Sequence, residues 1–305
     1  MHRPGTSIVM PNHFVTVRDI LRYAITRFNT EKLFFGHGTD NAFDEAAYLI
    51  LHTLKLPLDR LDPFLDARLL QSEIDKLLRV ITRRTEDRVP AAYITNEAWL
   101  GGYRFYVDER VIVPRSFIAE LIPEHFSPWV QDPAQIRRAL DLCTGSACLP
   151  VLLADVFPQA QIDAVDISPQ ALQVARRNVD DHALGDRIDL VESDLYAKLP
   201  ARKYDLIISN PPYVNAESMQ KLPQEYLQEP RIALAGGQDG MDLVRRIIED
   251  AAQRLTPNGV LIVEIGNGRT AAEAAFPELD LTWMTTSAGD DMVFLLTAAQ
   301  LQSPV

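Results

Sequence analysis

Ala139-Leu140-Asp141-Leu142-Cys143-Thr144-Gly145-Ser146-Ala147-Cys148 sets the reading of the fold. Residues 139–142 have the texture of a short buried strand. The small residues that follow form a turn into a helix, where a ligand can approach the backbone and the helix N-terminus. The same pattern repeats outward. Short apolar runs at 162–165, 188–191, 206–209 and 260–264 alternate with amphipathic helical stretches. One of these opens on Ser168-Pro169, a cap followed by proline in the first turn, and runs through Val179. Such alternation predicts a parallel sheet covered by helices. Runs at 281–285 and 292–296, on either side of Ser287-Ala288-Gly289-Asp290, predict a closing strand pair.

Upstream the texture is helical. Val17, Ile20, Leu21, Ala24, Ile25 and Phe28 recur with the spacing of one helix face. Phe43, Ala46, Ala47, Ile50, Leu51 and Leu54 form a second such face behind Asp40 or Asn41 as N-cap. Ile74, Leu77, Leu78 and Ile81 form a third, with Ser72 as the expected cap and Arg83 and Arg84 closing it. These stripes read as the core of a small bundle. Pro90 ends it. The aromatic and β-branched stretch Ala92-Tyr93-Ile94-Thr95, then Trp99, Gly101-Gly102 and Phe105-Tyr106-Val107, predicts extended chain with a hairpin turn. The expected division is a helical domain over 1–91, a hairpin linker over 92–110 and a catalytic domain over 111–305.

The 305 residues are 47% hydrophobic and 24% charged, enough to bury a sizeable core. A net charge of -12 argues against coating a phosphate backbone, and no direct sequence-specific nucleic-acid binding is expected. It favours a basic protein partner. Cys143 and Cys148 read as reduced, mostly buried thiols, and no metal-type repeat accompanies them. Met1-His2-Arg3-Pro4-Gly5 lacks a signal-peptide core, and no stretch reaches membrane-spanning length without a charge. The expectation is a soluble, cytoplasmic protein with no membrane partner.

Parallel sheets bind ligands at the carboxyl ends of their strands. Here those ends carry Asp141, then Asp166, then Asp194-Leu195, then Ser209-Asn210-Pro211-Pro212-Tyr213. Asp166 is placed to accept both ribose hydroxyls of an adenosine. Asp194 is placed to accept from an adenine amino group, with Leu195 against the ring. Each acid alone also reads as a turn former or a helix cap. The two prolines remove two backbone donors and stiffen the chain, while their carbonyls remain acceptors.

Asn-Pro-Pro-Tyr after the fourth strand resembles the motif of class I, S-adenosylmethionine-dependent methyltransferases acting on amino or amide nitrogen. The wider chain resembles the glutamine N5-methyltransferase family, weakly in the helical part and strongly from about Ala91. Three segments are similar to the branch that methylates large-subunit ribosomal protein number three. They are Tyr93-Ile94-Thr95-Asn96 with Phe105-Tyr106-Val107-Asp108-Glu109-Arg110-Val111, Val113-Pro114-Arg115-Ser116, and Asp141-Leu142-Cys143-Thr144-Gly145-Ser146. The release-factor branch usually has Pro where this chain has Ser116, and Gly where it has Cys143. Glu229-Pro230 and Asp239-Gly240 fall in the family's loop after the tetrapeptide. Ala147 departs from the family's Gly, and Phe117 from that branch's Pro.

The resemblance implies a Rossmann-like α/β sheet, mostly parallel with an antiparallel last strand, joined to a small helical N-terminal domain by a β-hairpin. It places S-adenosylmethionine against Cys143, Thr144, Gly145, Ser146, Ala147, Asp166, Asp194, Leu195 and Asn210. It makes Asn210, Pro211, Pro212 and Tyr213 the catalytic clamp on a substrate glutamine, with no metal. The implied partner is large-subunit ribosomal protein number three, a basic protein. Rival expectations are the sister enzyme acting on the Gly-Gly-Gln motif of release factors, an adenine-N6 nucleic-acid methyltransferase, and a silent cofactor-binding assembly protein. Gly236-Gly237-Gln238 repeats the release-factor tripeptide within this chain and reads as a chance match in a turn.

Overall fold

The structure is a computed structural model that describes residues 14–302; the opening stretch read for a leader lies outside them. The chain divides into two units, one ending at Thr95 and the other beginning at Asn96.

The first unit holds α1 (Val17–Thr30), α2 (Ala42–Leu54), α3 (Gln71–Thr85) and α4 (Ala91–Thr95). Thr16 caps α1 in a capping box with Asp19, and the predicted stripe is buried except for the partly covered Ile25. Asn41 is the cap of α2. The buried face of α2 is rotated from the expected one. Phe43 is 49% exposed, while Glu45 is 1% exposed, because Glu45 accepts from Arg84 Nε of α3 at 2.6 Å inside the bundle. Ser72 is not the cap of α3. The helix begins at Gln71, and Glu73 reaches back to the Leu70 N–H at 2.8 Å. Residues 91–95 are helical where an extended run was expected. The Pro90 carbonyl accepts from the N–H groups of Tyr93 and Ile94, and burial of Ala91, Ala92 and Tyr93 overrides the β-branched pattern.

The second unit opens with the predicted hairpin, β1 (Ala98–Leu100) and β2 (Tyr103–Phe105). Gly101 and Gly102 have φ of 57° and 83°, the left-handed values of a tight hairpin turn. After α5 (Ile118–Leu121) come β3 (Arg138–Leu142), α6 (Cys148–Val156), β4 (Gln161–Asp166), α7 (Pro169–Asp181), β5 (Ile188–Glu192) and β6 (Tyr204–Ser209). Then follow α8 (Asp242–Arg254), β7 (Leu255–Glu264), α9 (Arg269–Ala275), β8 (Thr282–Thr286), β9 (Gly289–Thr297) and α10 (Ala298–Gln302). The seven strands β3 to β9 pair in the order β5-β4-β3-β6-β7-β9-β8, and only β9 runs against its neighbours. Alternate residues feed two cores. Ala139, Ile162, Leu206 and Ile262 belong to one face, and Leu140, Val165, Ile207 and Val263 to the other. Strand order reverses between β4 and β6, on either side of β3, which is where such sheets open a crevice. Among the described residues no helix is long and apolar enough to cross a membrane.

Candidate active site

A cavity of about 530 Å³ opens at that crevice, within the range of roughly 300–1,000 Å³ common for small-molecule sites. Cys143, Gly145, Asp166, Asp194, Leu195, Asn210 and Pro212 line it. Thr144, Ser146, Ala147, Pro211 and Tyr213 do not.

The turn after β3 is built from left-handed residues, with φ of 62° at Cys143, 55° at Gly145 and 61° at Ala147. The Thr144 N–H donates to the Val165 carbonyl at 2.9 Å, which lashes the turn to β4. The Gly145 N–H donates to Asp166 Oδ2 and the Ser168 N–H to Asp166 Oδ1, both at 2.9 Å. Asp166 is thus aimed by two backbone donors. Each oxygen keeps a further lone pair for a ligand. Burial pushes the Asp166 carboxyl up, against the pull of those N–H groups. Asp194 accepts from Arg246 Nη2 at 2.9 Å through one oxygen. Burial pushes the Cys148 thiol up to about 12 and the Cys143 thiol higher still, so neither is a ready nucleophile.

The left-handed backbone at Ala147 costs about 1–2 kcal/mol. Two effects offset it. The methyl group is fully buried in the core, a gain of about 0.8 kcal/mol. Glycine would also lose about 0.4–1 kcal/mol through its freer unfolded chain. Ala147→Gly is therefore expected to change the unfolding free energy by less than about 1 kcal/mol in urea titrations.

At the end of β6, the Ser209 hydroxyl donates to the Leu142 carbonyl at 2.8 Å and ties the two central strand ends together. Asn210 is half-buried, and no hydrogen bond holds its side chain among the described residues. Behind the tetrapeptide the packing is close. A Cβ on Gly236 would lie 2.6 Å from Tyr213 Cα, and one on Gly266 would lie 2.7 Å from the Tyr213 ring. Gly236 is thus explained by its contact with the tetrapeptide. Gln238 lines a second cavity of about 540 Å³, which shares Arg231 and Ala235 with the first, and does not line the first.

Several wall residues carried no sequence signal of a site role, Arg110 and Val111 being part of a segment noted only for its family likeness. Arg110, Val111 and Ile112 enter from the segment before α5, and residues 230–233 from the loop after β6. Glu229-Pro230 stood out only as a family segment. Buried carboxylates and partly buried groups also gather near Tyr213. Arg115 forms a bidentate pair with Glu229 at 2.6 and 2.7 Å, and its guanidinium lies 5.1 Å from the Tyr226 ring centroid. Glu264, buried at the end of β7, accepts from Ser116 Oγ at 2.6 Å and the Phe117 N–H at 2.8 Å.

The family model described as methyltransferase small domain matches residues 127–238, which span β3 to β6 and most of the loop beyond. A ribosomal protein uL3 glutamine methyltransferase of Burkholderia pseudomallei is 59% identical over 298 residues, 95% of this chain and 97% of the relative. One from Neisseria meningitidis is 58% identical over 286 residues, 94% of each chain. Among solved structures, the hMettl16 catalytic domain in complex with an RNA hairpin (MAT2A 3'UTR hairpin 1) superposes with a TM-score of 0.51. That match has 18% identity, covers 83% of this chain and 91% of that one, and concerns the fold alone.

Proposed function

Since this chain belongs to the family of ribosomal protein uL3 glutamine methyltransferases, we propose that the strand-end cavity holds S-adenosylmethionine and that the tetrapeptide beside it presents a uL3 glutamine to the methyl group. The chain is an enzyme, a protein-glutamine methyltransferase. The observation that carries the site assignment is Asn210, an untethered amide in the cavity wall at the end of a central strand.

The residues fit the cofactor. Both Asp141 oxygens and the Thr144 hydroxyl are buried without a hydrogen-bond partner, directly beneath the Cys143 turn. Burial pushes the Asp141 carboxyl up to about 8. The Thr144 hydroxyl is near enough to oppose that shift but outside bonding geometry, and the Asp166 charge adds to it. Buried acceptors are normally satisfied, and this unpaired set stands beside Cys143 and Gly145, which line the cavity, although neither Asp141 nor Thr144 does. Cys143, Thr144, Gly145, Ser146 and Ala147 shape that turn, Asp166 takes the ribose, and Asp194 with Leu195 takes the adenine. When bound, the cofactor supplies a methyl group on a sulfonium, an excellent leaving group.

A glutamine amide nitrogen is a poor nucleophile because its lone pair is delocalised. The Asn210 side-chain oxygen and the Pro211 carbonyl accept its two N–H hydrogens. They turn the nitrogen toward the methyl group and favour the positive charge that would develop on it as the carbon–sulfur bond breaks to a neutral thioether. One of the two N–H protons would then pass by way of its acceptor to water, leaving a neutral methylamide. Pro212 stiffens the clamp and Tyr213 stacks on the amide plane. Pro211 and Tyr213 lie outside the cofactor cavity wall. The chain's charge of -12 complements a basic ribosomal protein in the cytoplasm. Residues 1–91 select that protein, residues 92–110 link, and residues 111–305 catalyse.

Asp166→Ala is expected to weaken cofactor binding about 10- to 100-fold in calorimetry, the loss of roughly 1.5–3 kcal/mol from charged hydrogen bonds. The functional test is transfer from radiolabelled S-adenosylmethionine to separately purified uL3 and release factors. Label on uL3 alone supports the proposal; label on the release factors, or none, contradicts it.

A further inference from the structure

Residues 110–117 form a strap that crosses the site outside the sheet. Its first part, at Arg110, Val111 and Ile112, lines the cofactor cavity. Its second part is pinned to buried carboxylates on two other elements. Glu229 Oε1 accepts from the Val113 N–H at 2.9 Å and shares the bidentate pair with Arg115. Glu264 accepts from the Ser116 hydroxyl and the Phe117 N–H through the same oxygen, Oε2. Hydrogen bonds to an ionised acceptor are roughly twice as strong as neutral ones.

The end of β7 that carries Glu264 is also the floor under Tyr213. Gly266, two residues on, has φ of 52° and packs against the Tyr213 ring so closely that a Cβ would collide with it. Burial, then the negative charge of Glu264, push the Tyr213 phenol well above its ordinary value, with Arg115 opposing. Neither Glu264 nor Tyr213 lines the cofactor cavity, so Glu264 can act on the reaction only through its neighbours.

We propose that Glu264 is a positioning residue of methyl transfer. In ionised form it locks Ser116 and Phe117 of the strap to the end of β7, and so fixes the surface on which Tyr213 holds the substrate amide. This rests on the reading of the tetrapeptide as the glutamine clamp. Ser116 becomes the strap's side-chain contribution to that lock, at the position where the release-factor branch usually carries Pro. Proline has no hydroxyl to donate.

The lock is sensitive to pH near neutrality. Burial pushes the Glu264 carboxyl up to about 7, opposed by the Ser116 hydroxyl, the Ile118 and Phe117 N–H groups and the Arg115 charge. Of the groups facing it, Arg115 stays charged and is locked to Glu229, while Tyr213 and the neighbouring Tyr226 phenol, both raised by burial, stay neutral. Protonation below about 7 therefore falls on Glu264, and the lock is complete above it.

The test follows kcat, KM for uL3 and cofactor Kd across neutral pH in the full-length protein. The wild-type kcat is expected to rise with pH through about 7. Glu264→Gln imitates the neutral carboxyl, and is expected to lower kcat on the order of 10-fold, remove that limb and leave cofactor Kd unchanged. Ser116→Ala removes a bond that favours the ionised form, so the limb should move to higher pH. A flat wild-type profile, or Glu264→Gln with wild-type kcat, overturns the proposal. If Glu264→Gln does not fold, an unmoved limb in Ser116→Ala overturns it. Absence of any transfer to uL3 by the wild-type protein would instead overturn the assignment of the glutamine clamp.

Discussion

Replacing Asn210 with Ala is expected to lower kcat for methyl transfer about 10²- to 10³-fold while changing cofactor affinity by less than about threefold. The asymmetry follows from where the contacts lie. In the proposed site the cofactor would be held mainly by the turn after β3, by Asp166 and by the wall around Asp194, at the ends of β3, β4 and β5. Asn210 follows the end of β6, and among the described residues no hydrogen bond commits its side chain. Its oxygen contributes most when the acceptor nitrogen becomes positive, so the loss appears in kcat. A variant that lost both properties equally would show that Asn210 serves the cofactor and not the transfer.

The largest stability effect is expected in the helical unit. Glu45 and Arg84 are each 1% exposed, and Nε to Oε1 is 2.6 Å. Arg84 Nη2 also donates to the Phe34 carbonyl at 2.8 Å, and the Thr39 hydroxyl donates to Glu45 Oε2 at 2.9 Å. Glu45→Ala deprives a buried guanidinium of its carboxylate and should cost about 3–5 kcal/mol. Replacing both residues with Met should recover much of that loss, because the penalty comes from an uncompensated charge. Circular dichroism melts of the three proteins check this. A single mutant within about 1 kcal/mol of wild type would mean that the pair contributes little.

That same pair shows where the sequence became unreadable. Hydrophobic spacing places Phe43 inside and is silent on Glu45, since an acid enters a core only when a distant base meets it. The partner stands 39 residues away, and no local pattern announces it. The lock behind Tyr213 was hidden for the same reason. Arg115 and Glu229 are 114 residues apart, and Ser116 and Glu264 are 148 apart. By contrast, the sheet was legible because the central strands β3, β6 and β7 send apolar residues into both cores, and the turn after β3 is marked by small residues. The place of Asp166 and Asn210 in the cavity wall was legible because strand ends at the switch in strand order converge on one crevice. The wall formed by residues 230–233 was not, because its place depends on how an irregular loop returns over the tetrapeptide. Ala147 shows that family preference and local energetics can diverge. Its backbone is left-handed, and burial of its methyl group together with its stiffer unfolded chain offsets that strain.

The most direct measurement is tandem mass spectrometry of uL3 after incubation with S-adenosylmethionine and either the wild-type protein or Asn210→Ala. A single methyl group on one glutamine side-chain nitrogen is expected with the wild-type protein and almost none with the variant. A methyl group on lysine, arginine or the amino terminus, or equal labelling by the two proteins, would contradict it.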